Sequence, residues 1–195
     1  MISPRYPVGK ASPNPLPNND NAVRFDCYDH PALFSKDARM LDSLLATLDP
    51  PHGQAWHGPT VKGALRGVTA AQARWAPAPG RHSIWELVLH IAYWNYAVRR
   101  HLERDVPRFP RAPANWPALP DHPDERAWKR DRALLAAEHA ALVRAIKRLP
   151  RSRWSRIPPE GKKWTYGEMI VGIVAHDTYH GGQISMLKRL WRGRR

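Results

Sequence analysis

Apolar positions recur at helical spacing in four stretches of the chain. In the last of them Met169, Ile173, Leu187 and Leu190 share one face with His176, His180 and Gln183, every step being three or four residues. Thr165 is placed to cap this helix and Glu168 to reach back to it, the Ser/Thr-x-x-Glu pattern of a capping box. A second such box, Ser83-Ile84-Trp85-Glu86, predicts a helix to about Leu102 with Ile84, Leu87, Val88, Ile91, Trp94 and Val98 on its apolar side. His90 lies between Leu87 and Trp94 and faces the core with them. From about Ser35, a residue suited to a helix cap, Met40, Leu41, Leu44, Leu45 and Leu48 keep the same spacing. A further helix is predicted from about Pro123 to Leu149, burying Trp128, Leu135, Leu142 and Ile146 with His139 on the same stripe.

Between these stretches the pattern breaks. Pro50, Pro51 and Gly53 interrupt the first arm, Trp56-His57-Gly58-Pro59 follows, and Val61, Ala64 and Leu65 resume a helical face until Gly67. Trp56 and His57 at this break either line a pocket or, for Trp56, anchor the core. Residues 75–81 read as a loop, 151–164 as a basic loop, and 105–122, with five prolines around Asn115 and Trp116, as a long irregular crossover. No stretch alternates as a strand does, and no repeat of fixed period occurs. The prediction is an all-α fold, a four-helix bundle with one long crossover loop. Residues 1–25, rich in proline and asparagine, carry no apolar face and read as a disordered leader; residues 26–195 read as a single domain.

With 195 residues, 43% of them hydrophobic, the chain can bury a substantial core. Its one cysteine, Cys27, excludes an intramolecular disulfide and a cysteine-based zinc site, and fits a reducing cytoplasm. No apolar run approaches the ~18 residues of a membrane span, so no membrane role is expected. The net charge of +14 and a pI near 10.6 raise the question of nucleic acid. However, the cations are scattered among carboxylates, and no nucleic-acid module is recognisable. A solvated basic surface is the simpler reading.

The chemistry lies in the polar interruptions of the apolar stripes. His176 and His180, one turn apart on a buried face, each bring ring nitrogens that cost a few kcal/mol if left unpartnered. A metal ion is one way to satisfy both together, hydrogen-bonded core packing being the other, and His90 on the second helix is the candidate for a third ligand. Three protein ligands leave coordination positions open, as catalytic sites do. Imidazole suits zinc, nickel, iron or copper without choosing among them. Gly181-Gly182, inside the same helix, costs about 1 kcal/mol per glycine and points to a close approach by a neighbouring helix or a ligand. The His-x-x-x-His spacing also occurs in zincin proteases, but Asp177 stands where their glutamate base would be.

Ser83-Ile84-Trp85-Glu86-Leu87-Val88-Leu89-His90, together with His176-Asp177-Thr178-Tyr179-His180-Gly181-Gly182-Gln183-Ile184, resembles the DinB/YfiT-like superfamily. Trp56-His57-Gly58-Pro59 and Asn115-Trp116-Pro117 are similar to further elements of one of its branches. The resemblance spans roughly residues 35–190. It implies a four-helix bundle holding a divalent metal, zinc or nickel first and iron or manganese next, on His90, His176 and His180. It further implies a metal-dependent transferase, of the thiol S-transferase or mycothiol-dependent isomerase kind, or a hydrolase, acting on a small molecule with a low-molecular-weight thiol as co-substrate. Trp56, His57, Trp116, His139, Tyr179 and Gln183 are the candidates for the pocket or for supporting the ligands. Two alternatives stand beside this expectation: a basic nucleic-acid-binding helical protein, and a metal-binding bundle without turnover. Helical bundles often pair, and Trp191 could mark a homodimer interface.

Overall fold

The structure, a computed structural model, describes residues 31–50, 54–161 and 163–194. The proline-rich leader, Cys27 and the break at 51–53 lie outside the described residues. Helix α1 spans Pro31–Leu48, α2 Val61–Ala64, α3 Ala70–Arg74, α4 Ile84–Leu102, α5 Glu125–Arg148 and α6 Tyr166–Gly193. One 3-10 turn, Arg151–Arg153, falls in the loop before α6. The described residues are all-α apart from one miniature hairpin, and their long helices α1, α4, α5 and α6 are the four read from periodicity.

Both capping boxes form. The Ser83 hydroxyl accepts from the Glu86 backbone N–H at 3.2 Å, and the Ser83 N–H donates to the Glu86 carboxylate at 2.7 Å. Thr165 and Glu168 exchange the same pair of bonds at 3.2 and 2.8 Å. Helix α5 starts one residue beyond its cap, Asp124, whose carboxylate accepts from the Ala127 N–H at 2.7 Å. Ser35 does not cap α1: the helix already runs at Pro31, whose fixed φ suits a first helical turn. Short α3, capped by Thr69, was not evident from the pattern, because five residues cannot display a 3.6-residue period.

Strands β1, Gln54–Ala55, and β2, Gly58–Pro59, pair antiparallel, Gln54 opposite Pro59 and Ala55 opposite Gly58. The chain reverses over Trp56-His57, and Gly58 takes φ +122°, open only to glycine at low cost. A two-residue link pushes its side chains away from the ladder. Trp56 is therefore fully exposed, neither a core anchor nor the wall of a pocket.

The apolar core has two lobes. One gathers α2, α3, the N-terminal halves of α4 and α5, the crossover residue Phe109, and Ile184 and Leu187 of α6. The other gathers Leu41 and Leu48 of α1, the C-terminal ends of α4 and α5, and Tyr166, Ile170, Ile173 and Val174 of α6. Helices α4 and α5 thus run in the same direction and α6 against them. Parallel neighbours cannot be joined by a tight turn. The chain must return along a helix about 28 Å long, at 1.5 Å per residue, and residues 103–124 do so. Proline-rich sequence at 105–122 is the consequence of that topology.

Ala32–Arg195 forms one compact unit. Indole groups pin its layers: Trp128 Nε1 donates to the Val68 carbonyl at 2.9 Å and Trp85 Nε1 to Asp131 at 2.8 Å. Trp191, half-buried, packs edge-on against Trp75 at 5.7 Å with Arg194 over its face. It is a packing residue rather than an exposed interface marker. Among the described residues no helix is long and apolar enough to cross a membrane.

Candidate metal centre

Between the two lobes the apolar stripes of α4 and α6 are interrupted at the same level. His90 and Asn95 on α4 meet His176, Asp177 and His180 on α6, and all but half-buried His176 are fully buried. The antiparallel pairing of the helices makes this register: residues midway along each stripe fall opposite one another. One ligand nitrogen from each of His90, His176 and His180 lies within 4.8 Å of the other two. The ring centroids of His176 and His180 are 4.4 Å apart, and those of His90 lie 5.1 and 4.8 Å from them.

The outer nitrogen of every ring is already bonded. His90 Nδ1 lies 2.7 Å from the Asn115 carbonyl oxygen, which can only accept, so the proton sits on Nδ1. His180 Nδ1 donates to Gln183 Oε1 at 2.7 Å, an orientation fixed by Gln183 Nε2, which donates to the Tyr179 hydroxyl at 3.0 Å. His176 Nδ1 faces the Asp177 carboxylate at 3.2 Å, and Asn95 Nδ2 donates to both oxygens of that carboxylate at 3.0 and 3.1 Å. In neutral rings so bonded, each Nε2 is left as a lone pair. His90 Nε2 and His176 Nε2 then stand 3.1 Å apart, acceptor against acceptor.

Such a contact calls for a cation between the rings. On His90 a proton is disfavoured: burial lowers its pKa from 6.5 to about 4, the bond to Asn115 opposing the shift and His180 and His176 adding to it. Burial likewise lowers His180 against the opposing bond to Gln183. At neutral pH His90 and His180 are therefore neutral imidazoles, the form that ligates a metal. Convergent Nε2 donors with Nδ1 held by carbonyl, carboxamide and carboxylate acceptors are the arrangement in which metal-binding histidines are oriented and made more basic. The three residues present fit a divalent ion of borderline softness.

The crossover supplies the rest of the enclosure. Asn115, at φ +69° in the left-handed region that asparagine tolerates, turns its carbonyl to His90 while its Oδ1 accepts from Trp94 Nε1 at 2.8 Å. Trp116 stacks on His90 at 3.9 Å and on His82 at 3.6 Å, nearly parallel to both, so the indole lies between two imidazoles. Arg111 pairs with buried Asp131 of α5, which ties the crossover down on the way to Asn115.

Other predicted residues fall elsewhere. His139 faces Asp49 at 3.7 Å, at the C-terminal end of α1, because its position on the α5 stripe carries it into the lobe away from the imidazoles. His57 is exposed and opens on a small cleft with Thr60, Val174 and Asp177, behind the ligating face. Tyr179 is exposed and acts on His180 through Gln183. Of the two glycines, Gly181 lies against β2 and α2, with the Pro59 carbonyl 3.8 Å from where a Cβ would sit, whereas Gly182 faces open space. Nothing in the structure explains Gly182. His82 was missed from sequence; its one signal is the i,i+4 spacing to Glu86, which it meets at 3.6 Å. Asn95 carries no signal in the sequence, and Asp177, noted there only against the zincin pattern, serves instead as the partner of His176 Nδ1.

The family model described as the DinB superfamily matches residues 55–184, a span that contains all of the hairpin but Gln54, the crossover and all three histidines. No curated protein and no solved structure matches the chain.

Proposed function

The chain belongs to the DinB superfamily, and from that premise we propose that it is a metal-dependent enzyme, a transferase of the thiol S-transferase type or a hydrolase. The observation that carries this reading is the convergence of three bare Nε2 lone pairs whose Nδ1 atoms are all bonded outward. His90, His176 and His180 would hold a divalent ion, zinc or nickel before iron or manganese, the donor set being three imidazole nitrogens. When bound, such an ion lowers the pKa of a thiol or water toward neutrality and polarises an electrophile.

The remaining residues prepare the site for that chemistry. Asn115, Gln183 and Asp177 hold the imidazoles in one tautomer, so a ligand exchange at Nε2 needs no ring rotation. Trp116 covers His90 with aromatic surface, and Trp94 flanks His176, so the site is bounded on this side by apolar rings. His82, exposed, stacks on the outer face of Trp116 and helps to hold that indole over His90. The co-substrates in this reading are a small molecule and a low-molecular-weight thiol, in a cytoplasmic setting where such thiols stay reduced.

Elemental mass spectrometry on protein purified without a polyhistidine tag tests the premise. About one ion per chain is expected in the wild type and none in His90→Ala or His176→Ala. Loaded protein is then assayed for thiol consumption with electrophile panels. Metal retention by both variants would remove the site, and with it the enzyme.

A further inference from the structure

An open groove of about 730 Å³ runs along α6 from Gly167 to His176, with Trp94 and Val98 of α4 as its opposite wall and Trp164 at its far end. Its size is that of a small-molecule site rather than of a packing defect. His176 is the one of the three imidazoles on its surface, so the groove leads to the candidate metal centre from one side. Met169 and Ile173 make its floor apolar. The chain carries 31 lysines and arginines, yet among the described residues none lines this groove. Lys163 lies 4.4 Å over the Trp164 ring without joining the wall. The one carboxylate on the wall, Glu168, is engaged by the Thr165 N–H and hydroxyl at 2.8 Å each. An anion placed here would meet no lysine or arginine on the wall and would lie against mostly apolar surface.

We infer that this groove seats the neutral alkyl or aryl body of the substrate, with the reacting end at His176 and the polar thiol approaching from outside the groove. The inference rests on the metal-centre reading above and adds to it the substrate's chemical class. Gly172 is what keeps the path open. It stands one helical turn before His176 on the same face, and a Cβ built there meets nothing within 4 Å. A side chain at that position would project into the groove while improving the helix, since glycine is the poorest helix former after proline. Gly172→Leu therefore narrows the groove beside His176 at a point where the added Cβ meets no other atom within 4 Å.

Two measurements separate the groove from the metal. In the first, cobalt(II)-loaded protein is titrated with acetohydroxamate and with straight-chain and phenylalkyl hydroxamates, following the cobalt absorption. The affinity of wild type should rise about fourfold per added methylene, as burial of a CH2 predicts. Gly172→Leu should bind acetohydroxamate unchanged and lose the chain-length gain. An affinity independent of chain length in the wild type, or an equal gain in the variant, overturns the inference while leaving the metal centre intact. In the second, N-phenyl-1-naphthylamine fluorescence is followed on metal-free protein, where at least tenfold weaker binding to Gly172→Leu is expected and equal binding refutes the groove. If cobalt does not bind or acetohydroxamate leaves its spectrum unmoved, the metal reading has failed and the naphthylamine result alone decides the groove. Gly172→Met repeats both tests should the leucine variant not fold. A wild-type dimer that sedimentation shows to dissociate in Gly172→Leu would put a second copy of the chain in the groove and overturn the proposal.

Discussion

Two buried polar clusters lie on helix α4, little more than a turn apart, and they are built on opposite rules. At Trp85 the indole N–H donates to Asp131, whose second oxygen takes Arg111, so each donor meets an acceptor. At His90 the inward nitrogen meets the inward nitrogen of His176 at 3.1 Å, and both are acceptors. The first cluster is complete within the chain and joins α4, α5 and the crossover. The second is complete only outward, through Asn115, Gln183 and Asp177, and its inner side asks for a cation. Burial of polar groups is common to both; complementarity is what tells a structural network from a binding centre.

Apolar replacement should break the two clusters in opposite senses. Asp131→Leu leaves the Trp85 N–H and the Arg111 guanidinium without their acceptor and should cost about 3 kcal/mol of stability in a denaturant titration. His90→Leu removes a repulsive contact and should change the stability of the metal-free protein by less than about 1 kcal/mol. The same variant should abolish the stabilisation that a saturating metal gives the wild type, about 2.7 kcal/mol at a hundredfold excess over its Kd. Equal losses at both positions in metal-free protein would mean that His90 is a satisfied packing residue. Next in size, Gln183→Leu frees His180 Nδ1 and should weaken metal binding roughly 10–100-fold, with unfolding little affected, as competition with a chromophoric chelator would show.

Acid should sharpen the contrast further. His90 has a folded pKa of about 4 against 6.5 unfolded, so between these values the unfolded chain carries the extra proton. Its contribution is therefore present above pH 6.5 and is lost as the pH falls toward 4, with His180 acting in the same direction. Metal-free wild type should lose stability across that window, and His90→Leu should show a shallower loss. A wild-type stability flat from pH 7 to 4 would contradict the burial-driven shift. Smallest of all, Gly182→Ala meets open space and should stabilise α6 by about 0.8–1 kcal/mol with metal stoichiometry unchanged.

Helix α6 could be read from sequence almost to the residue, because its capping box, its stripe and its histidines are all local properties of one segment. The same holds for α4, and the two together place His90, His176 and His180 on buried faces. Periodicity gives the face of a helix but not its height against a neighbour, so only the antiparallel packing of α4 on α6 brought the three imidazoles to one level. His139 shows the limit: it shares the stripe pattern and lies beside Asp49 instead. Trp56, held outward by a two-residue turn, shows it again, since hairpins this short depend on pairing that no local pattern announces.

What the sequence determined by itself was the helices, the polar breaks in their stripes and the kind of chemistry three imidazoles can do. What the tertiary structure decided was which donors meet. The parallel run of α4 and α5 requires a long crossover, the crossover carries Asn115 and Trp116 across the bundle to His90, and Asn115 sets the tautomer that leaves Nε2 bare. The physical reason is range: capping and amphipathicity act within about one turn of helix, whereas a lone pair's partner is chosen by chain segments far apart in sequence that only packing brings together.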